Sequence, residues 1–298
     1  MRILVTGREG QVVSALAEEA AGFGHEIVRL GRPDFDLAKP DGMRAALEKH
    51  RPDVVVSAAA YTAVDQAETE PELAMAVNGM APGVIAGAAA EFGLPIVHLS
   101  TDYVFDGLKP TPYLETDPTG PQGAYGRTKL AGEVAVAAAN SRHVILRTAW
   151  VYAHGGKNFV RTMLRLAADR PELRVVSDQL GCPTYATDLA RAILAVAGQL
   201  PARPAGDAGY GVFHASGTGD TSWAGFASAI FALSAAQGGP AARVIPIATA
   251  DYPTPARRPA NSRLDCNKLD AIYGLRQPHW HDGLQRCLAR LETAERGA

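Results

Sequence analysis

Tyr125 and Lys129, in the run Gly123-Ala-Tyr-Gly-Arg-Thr-Lys129, stand four residues apart, about one helical turn. On a helix the two side chains share a face, so a phenol and an ammonium can serve one site. A free phenol has a pKa of about 10, too high for efficient proton transfer near neutrality. A fixed positive charge beside it favours the phenolate and draws the group towards a useful range. A strand-like segment, Pro95 to Ser100, precedes the pair and leads into Thr101-Asp102, and a hydroxyl from Thr101 or Ser100 would complete the set. The same spacing also suits an ordinary amphipathic surface helix, so the pair alone does not choose between chemistry and packing.

The elements that must position this pair are legible from hydrophobic patterning. Short β-branched runs at Arg2 to Thr6, His25 to Leu30, Asp53 to Ala58, Pro95 to Ser100 and His143 to Arg147 alternate with longer alanine- and leucine-rich stretches. Near-continuous apolar strands separated by helices predict an α/β, Rossmann-type doubly wound parallel sheet, buried on both faces. The second half is less regular, with helices expected over 158–169, 187–199, 222–236 and 281–295 and strands over 174–177, 211–214 and 243–247. It reads as a smaller C-terminal α/β domain on the carboxyl edge of the sheet. The expected division is a nucleotide-binding domain over 1–150, with contributions from about 178–215, and a substrate-binding domain over 151–177 and 216–298. The cleft between them is the expected site.

Composition narrows the partners. The 298 residues are 47% hydrophobic and 20% charged, with a net charge of -2 and scattered lysines and arginines. That balance argues against nucleic acid or an anionic membrane and leaves a small molecule as the default partner. The cysteines, Cys182, Cys266 and Cys287, show no metal-ligand spacing, and their odd number suits reduced thiols in the cytoplasm. No signal-peptide pattern opens the chain and no apolar stretch is expected to reach membrane-spanning length. No metal site is expected, because the carboxylates and histidines form no compact cluster.

The first strand runs into Thr6-Gly7-Arg8-Glu9-Gly10-Gln11-Val12-Val13 and then a helical pattern. Gly7 and Gly10 let the backbone turn and approach a pyrophosphate, which the free amides of Gln11 and Val12 at the helix start would receive. A plain strand-to-helix turn is the alternative. Strand two ends Arg29-Leu30-Gly31-Arg32-Pro33, without the carboxylate that would hold the ribose of NAD. Arg32 could pair with a 2'-phosphate or equally be a solvated loop cation; NADPH is the first choice and NADH the second, and Asp36 and Leu37 could sit near the adenine. After strand three, Ala58, Ala59, Ala60 and Tyr61 put small residues where a cofactor would pass closely.

The glycine turn, Ser100-Thr101-Asp102 and the Tyr125/Lys129 pair together resemble the extended short-chain dehydrogenases/reductases. The segments 58–65, 100–107, 147–152, 178–184 and 252–263 narrow the resemblance to the dTDP-4-dehydrorhamnose reductases, and the matching runs span residues 1 to about 275. Val13 replaces a third glycine, and Ser57 stands where many relatives have asparagine. The resemblance implies hydride delivery to C4 of a 4-keto-6-deoxy sugar, with Tyr125 protonating the oxygen. Lys129 would tune Tyr125 and bond the nicotinamide ribose, and Thr101 would hydrogen-bond the sugar oxygen. Val64 and Trp150 would line the sugar pocket, with Asp102 ordering it. Asn78 would serve the cofactor or satisfy buried backbone groups. Arg257, Arg258 and Arg263 are candidates for the substrate diphosphate, since guanidinium forks suit phosphate oxygens, although each could equally form a structural ion pair. A homodimer is compatible with the resemblance.

Alternatives remain at this level. The related dehydratases carry Thr-Asp-Glu where this chain has Thr101-Asp102-Tyr103, and loss of the second carboxyl disfavours elimination. An epimerase, another nucleotide-sugar reductase, or a non-catalytic regulatory subunit resembling the β subunit of methionine adenosyltransferase are the competing readings.

Overall fold

The computed structural model describes residues 1–296; the last two residues of the expected 216–298 segment lie outside them. Five strands arise where the apolar runs predict them: β1 (Arg2–Thr6), β2 (Glu26–Leu30), β3 (Val54–Ser57), β4 (Ile96–Thr101) and β5 (His143–Thr148). Short strands follow: β6 (Val151–Tyr152), β7 (Glu172–Val176), β8 (Leu180–Gly181), β9 (Thr184–Tyr185), β10 (Gly211–His214), β11 (Thr221–Ser222), β12 (Arg243–Ile247) and β13 (Asn261–Ser262). The principal helices are α1 (Gln11–Glu19), α2 (Met43–His50), α3 (Pro71–Met75), α4 (Ala81–Glu91), α5 (Ala124–Ala139), α6 (Phe159–Ala167), α7 (Ala186–Gln199), α8 (Trp223–Ala236), α9 (Asn267–Tyr273) and α10 (Trp280–Arg296).

β10, β5, β4, β3, β1 and β2 lie in that order in one parallel sheet. Ile3, Leu4, Val5, Val54, Val55 and Val56 are all fully buried, as strands covered on both faces must be. One cover includes α1 and α7, the other α2, α4 and α5. The chain reverses its direction of travel between β1 and β3, which opens a crevice at their carboxyl ends. Beyond that edge, β7 pairs with β12, and α6, α8 and α10 pack around Phe226, Ile230 and Leu284 in a second core.

Two expectations need correction. The Pro71–Glu91 segment is one 21-residue helical run of mean hydropathy 1.5, long and apolar enough to cross a membrane, contrary to the sequence reading. Half of its apolar window is buried: Ala81, Ile85, Ala86 and Ala89 face the protein core, as in a core helix. Its helical turn widens over Ala76–Met80. The strand expected over Asp53 to Ala58 ends at Ser57, and the alanines at 58–60 form the loop that leaves β3. A Cβ on Gly132 would come within 2.1 Å of Asn78 O, so glycine lets α5 press directly on the Pro71–Glu91 run.

Candidate functional site

α5 carries Tyr125 and Lys129 to the carboxyl end of β4. Its first turn is set by Gly126, where a Cβ would stand 2.2 Å from Tyr103 O. Tyr103 therefore lies against Tyr125, edge to face, with ring centroids 5.5 Å apart. Thr101 Oγ1 donates to Asp102 Oδ1 at 3.0 Å and accepts from the Tyr103 amide at 3.3 Å. Asp102 is buried and its Oδ2 has no partner. Burial raises its carboxyl to about 6 against the opposing pull of the neighbouring Ser262 and Thr101 hydroxyls.

Burial also raises Tyr125, the Asp102 charge adds to the rise, and a hydrogen bond with Thr101 opposes it. The lowering of Tyr125 expected from Lys129 is thus outweighed by desolvation. Lys129 is itself buried and lowered to about 8 by that burial, with Glu133 acting against the fall. Its Nζ donates to Leu99 O at 2.6 Å and lies 3.5 Å from His98 Nε2. A protonated phenol with an ammonium behind it is the state a proton donor requires.

The turn from β1 to α1 has the form of a pyrophosphate cradle. Gly7 and Gly10 sit at φ 109° and 120°, where other residues are strained. A Cβ on Gly7 would meet Val13 Cγ2 at 3.1 Å and Ala59 Cβ at 3.2 Å, so Val13 does the close packing of a third glycine. Beside Gly10 the space is open, and α1 begins with no side-chain cap on its amides, those of Gln11 and Val12 among them. Gln11 Oε1 is buried without a partner. An open cradle, free helix amides and an orphaned acceptor fit a dinucleotide.

Around the cradle, Ala58 and Ala59 donate their amides to Thr6 Oγ1, which fixes the loop after β3. Asn78 clamps that loop from the side: its amide takes Tyr61 N at 2.8 Å and gives to Tyr61 O at 3.0 Å and Thr128 Oγ1 at 3.2 Å. Asn78 is thereby engaged with the backbone, and Tyr61 turns its hydroxyl outward to Glu70. Ala60 lies half-buried between them. At the end of β2, Arg32 is exposed, and Arg8 pairs with Asp34 nearby. Asp36 caps the Ala38 amide in its own exposed turn, and Leu37 packs on the core.

A cavity of about 920 Å³ opens beside Tyr103 and runs between the sheet edge and the second core, lined by Val64, Asp65, Trp150, Trp223 and Arg258 among others. Trp150, at φ 49°, stacks on Trp223 with centroids 3.5 Å apart. Arg258 bonds Asp65 at 2.6 Å and reaches Tyr103 Oη at 3.5 Å. Arg257 is exposed and bonds Gln122. Arg263 departs from the expected diphosphate group: it lines a separate cavity of about 260 Å³ and is spent on Asn261, Asp220 and Pro110 O. Among the described residues, no group of three or more His, Cys, Asp or Glu could hold a metal ion.

The sequence model of the family described as RmlD substrate binding domain matches residues 1–293. A dTDP-4-dehydrorhamnose reductase from Sinorhizobium fredii is 51% identical over 286 residues, 96% of each chain. The chain belongs to the dTDP-4-dehydrorhamnose reductase family. The family's enzyme from Escherichia coli K12 is 42% identical over 98% of this chain and 99% of its own. The crystal structure of a dTDP-4-dehydrorhamnose reductase from Bacillus anthracis in complex with NADP superposes with a TM-score of 0.89 at 35% identity, covering 97% of this chain and 99% of that one. UDP-glucose 4-epimerase from Brucella ovis shares the fold alone, at 19% identity and a TM-score of 0.79.

Within this reductase framework the sequence reading passed over several residues that shape the site. Trp223, Asp65 and Gln179 line the large cavity, and His98 and Glu133 lie buried around Lys129. Glu133 had a signal in the sequence, since it continues the four-residue spacing of Tyr125 and Lys129. Trp223 had none, because its approach to Trp150 depends on the pairing of β11 with β8.

Proposed function

We propose that this chain reduces the C4 keto group of dTDP-4-dehydro-L-rhamnose to give dTDP-L-rhamnose, using NADPH, with NADH as the weaker alternative. The observation that carries the reading is the convergence of Thr101, Tyr125 and Lys129 at the end of β4, between the glycine cradle and the cavity beside Tyr103. When bound, the dinucleotide supplies the hydride for C4. Tyr125 donates the proton to the C4 oxygen, and the Thr101 hydroxyl steadies that oxygen as charge develops. Lys129 holds positive charge behind the phenol and binds the nicotinamide ribose.

In this reading Gly7, Gly10, Gln11 and Val12 hold the pyrophosphate, and Ala58 to Tyr61, fixed by Asn78, pass along the dinucleotide. Arg32, assisted by Arg8, meets the 2'-phosphate. Val64 and Trp150 flank the sugar, Asp102 accepts from a sugar hydroxyl through its free oxygen, and Arg258 with Arg257 takes the diphosphate. The 1–150 segment is then the cofactor domain, and 151–177 with 216–298 the substrate domain. With Cys182, Cys266 and Cys287 as free thiols, the cytoplasm is the compartment. The NADP complex of the Bacillus anthracis relative supports the cofactor choice.

The test is NADPH oxidation by purified protein supplied with dTDP-4-dehydro-L-rhamnose. Turnover is expected, and Tyr125→Phe is expected to lower kcat by about 10²–10⁴-fold while NADPH affinity holds. No turnover by the wild type, or full turnover by the phenylalanine variant, overturns the reading.

A further inference from the structure

Behind the proposed proton donor the structure holds a buried ion pair that the reaction as written does not use. Glu133 follows Tyr125 and Lys129 on the same face of α5, one further turn along. Arg147, on β5, grips its carboxylate with both arms, Nε to Oε1 at 2.9 Å and Nη2 to Oε2 at 2.6 Å. Both side chains are 5% exposed. Ser100 Oγ donates to Glu133 Oε1 at 2.5 Å. Ser100 follows Leu99, whose carbonyl receives Lys129 Nζ, so α5 is fastened to two successive residues of β4 by Lys129 and by Glu133.

Two buried charges and an oriented serine are costly to desolvate, and a well-packed apolar cluster would often serve stability as well or better. We propose that Glu133, fixed by Arg147 and Ser100, is a positioning residue that keeps Lys129 in its charged form behind Tyr125. The inference rests on the reading of Tyr125 and Lys129 as the proton-transfer pair. Burial drives Lys129 towards the neutral amine, and Glu133 is the charge that opposes it.

The other groups facing Lys129 do not supply that charge. From β4, His98 is held neutral by burial and by Lys129, and its Nδ1 is engaged with Ser57 on β3. Asp102 lies at the front of the site beside Tyr125, and its charge acts on that phenol. Tyr125 and Tyr103 are both raised and neutral near pH 7. Arg147, from β5, is positive and would repel an ammonium were it not paired. The Pro71–Glu91 run brings the neutral amide of Asn78 onto the adjoining Thr128.

The experiment is the pH dependence of kcat for the wild type and Glu133→Gln, with melting temperature and NADPH affinity as controls. Charges about 6 Å apart at an effective dielectric of about 20 interact enough to move a pKa by roughly two units. Arg147 offsets about half of that in the intact pair and is left unopposed when Glu133 alone is neutralised. In Glu133→Gln the basic limb, where Lys129 loses its proton, is expected to move to lower pH by roughly two units, and Glu133→Asp, which keeps the carboxylate, to restore it at least in part. Should Arg147 left alone prevent folding, Glu133→Gln with Arg147→Met removes both buried charges, and a smaller acidward shift of about one unit is expected. A folded variant whose basic limb stays in place, with kcat merely scaled down, overturns the inference and leaves Glu133 a structural tie. Loss of the Tyr125→Phe effect would instead sink the catalytic reading itself, so the two failures are separable.

Discussion

Gly181→Ala tests the architecture of the large cavity. Gly181, on β8, lies against the face of the Trp150 indole: a Cβ there would stand 2.4 Å from Cε2, 2.7 Å from Cζ2 and 2.8 Å from Cδ2. Ordinary contact begins at 3.4 Å, so the ring must retreat by about 1 Å. It cannot do so freely, because Trp223 stacks on it at 3.5 Å and 10°. Overpacking of this kind costs about 1–3 kcal/mol. For a chain of 298 residues, an unfolding entropy of about 2 cal/mol/K per residue turns that into a fall in Tm of roughly 2–5 °C. If Trp150 flanks the sugar as proposed, displacement of about 1 Å at this cavity-lining indole is also expected to lower kcat/KM for the nucleotide sugar by up to about 10²-fold. NADPH affinity should hold, since the cradle lies on β1 and α1. Scanning calorimetry, steady-state kinetics and tryptophan fluorescence read the three effects. An alanine variant with unchanged Tm, kinetics and emission would refute the sandwich of Trp150 between Gly181 and Trp223.

Two shorter tests bear on charge. Arg32→Ala is expected to raise the Michaelis constant for NADPH by about tenfold or more, as for loss of a charge-assisted bond of 1.5–3 kcal/mol, and to leave that for NADH nearly unchanged; equal effects would reject contact with the 2'-phosphate. Burial lifts the Asp102 carboxyl to about 6, above the ordinary aspartate value of about 4, so the folded state holds its proton more tightly than the unfolded chain. The stability associated with that proton is complete below about pH 4 and lost as pH rises through 6, at a cost of up to about 3 kcal/mol above it. Asp102→Asn removes the cost, so denaturant titrations should show the variant gaining on the wild type as pH rises from 4 to 7. A pH-independent difference would contradict the buried, half-satisfied carboxyl.

The parallel sheet and the cradle could be read from the chain because their causes are local. β1, β3 and β4 are apolar runs that must be buried on both faces, Gly7 and Gly10 occupy backbone angles other residues resist, and Tyr125 and Lys129 share a helix face by spacing alone. The two-residue strands β8, β11 and β13 carry no such periodicity. They exist because distant segments pair, and that pairing brings Gly181, Trp150 and Trp223 together and takes Arg263 away from Arg258 into its own cavity. Protonation states lay further out of reach. Spacing alone suggested that Lys129 lowers Tyr125, but burial acts on both groups and prevails, raising the phenol and lowering the amine. Residue types and their spacing determined which groups could react, whereas desolvation and long-range pairing, which depend on the whole packed chain, decided their charge and their neighbours.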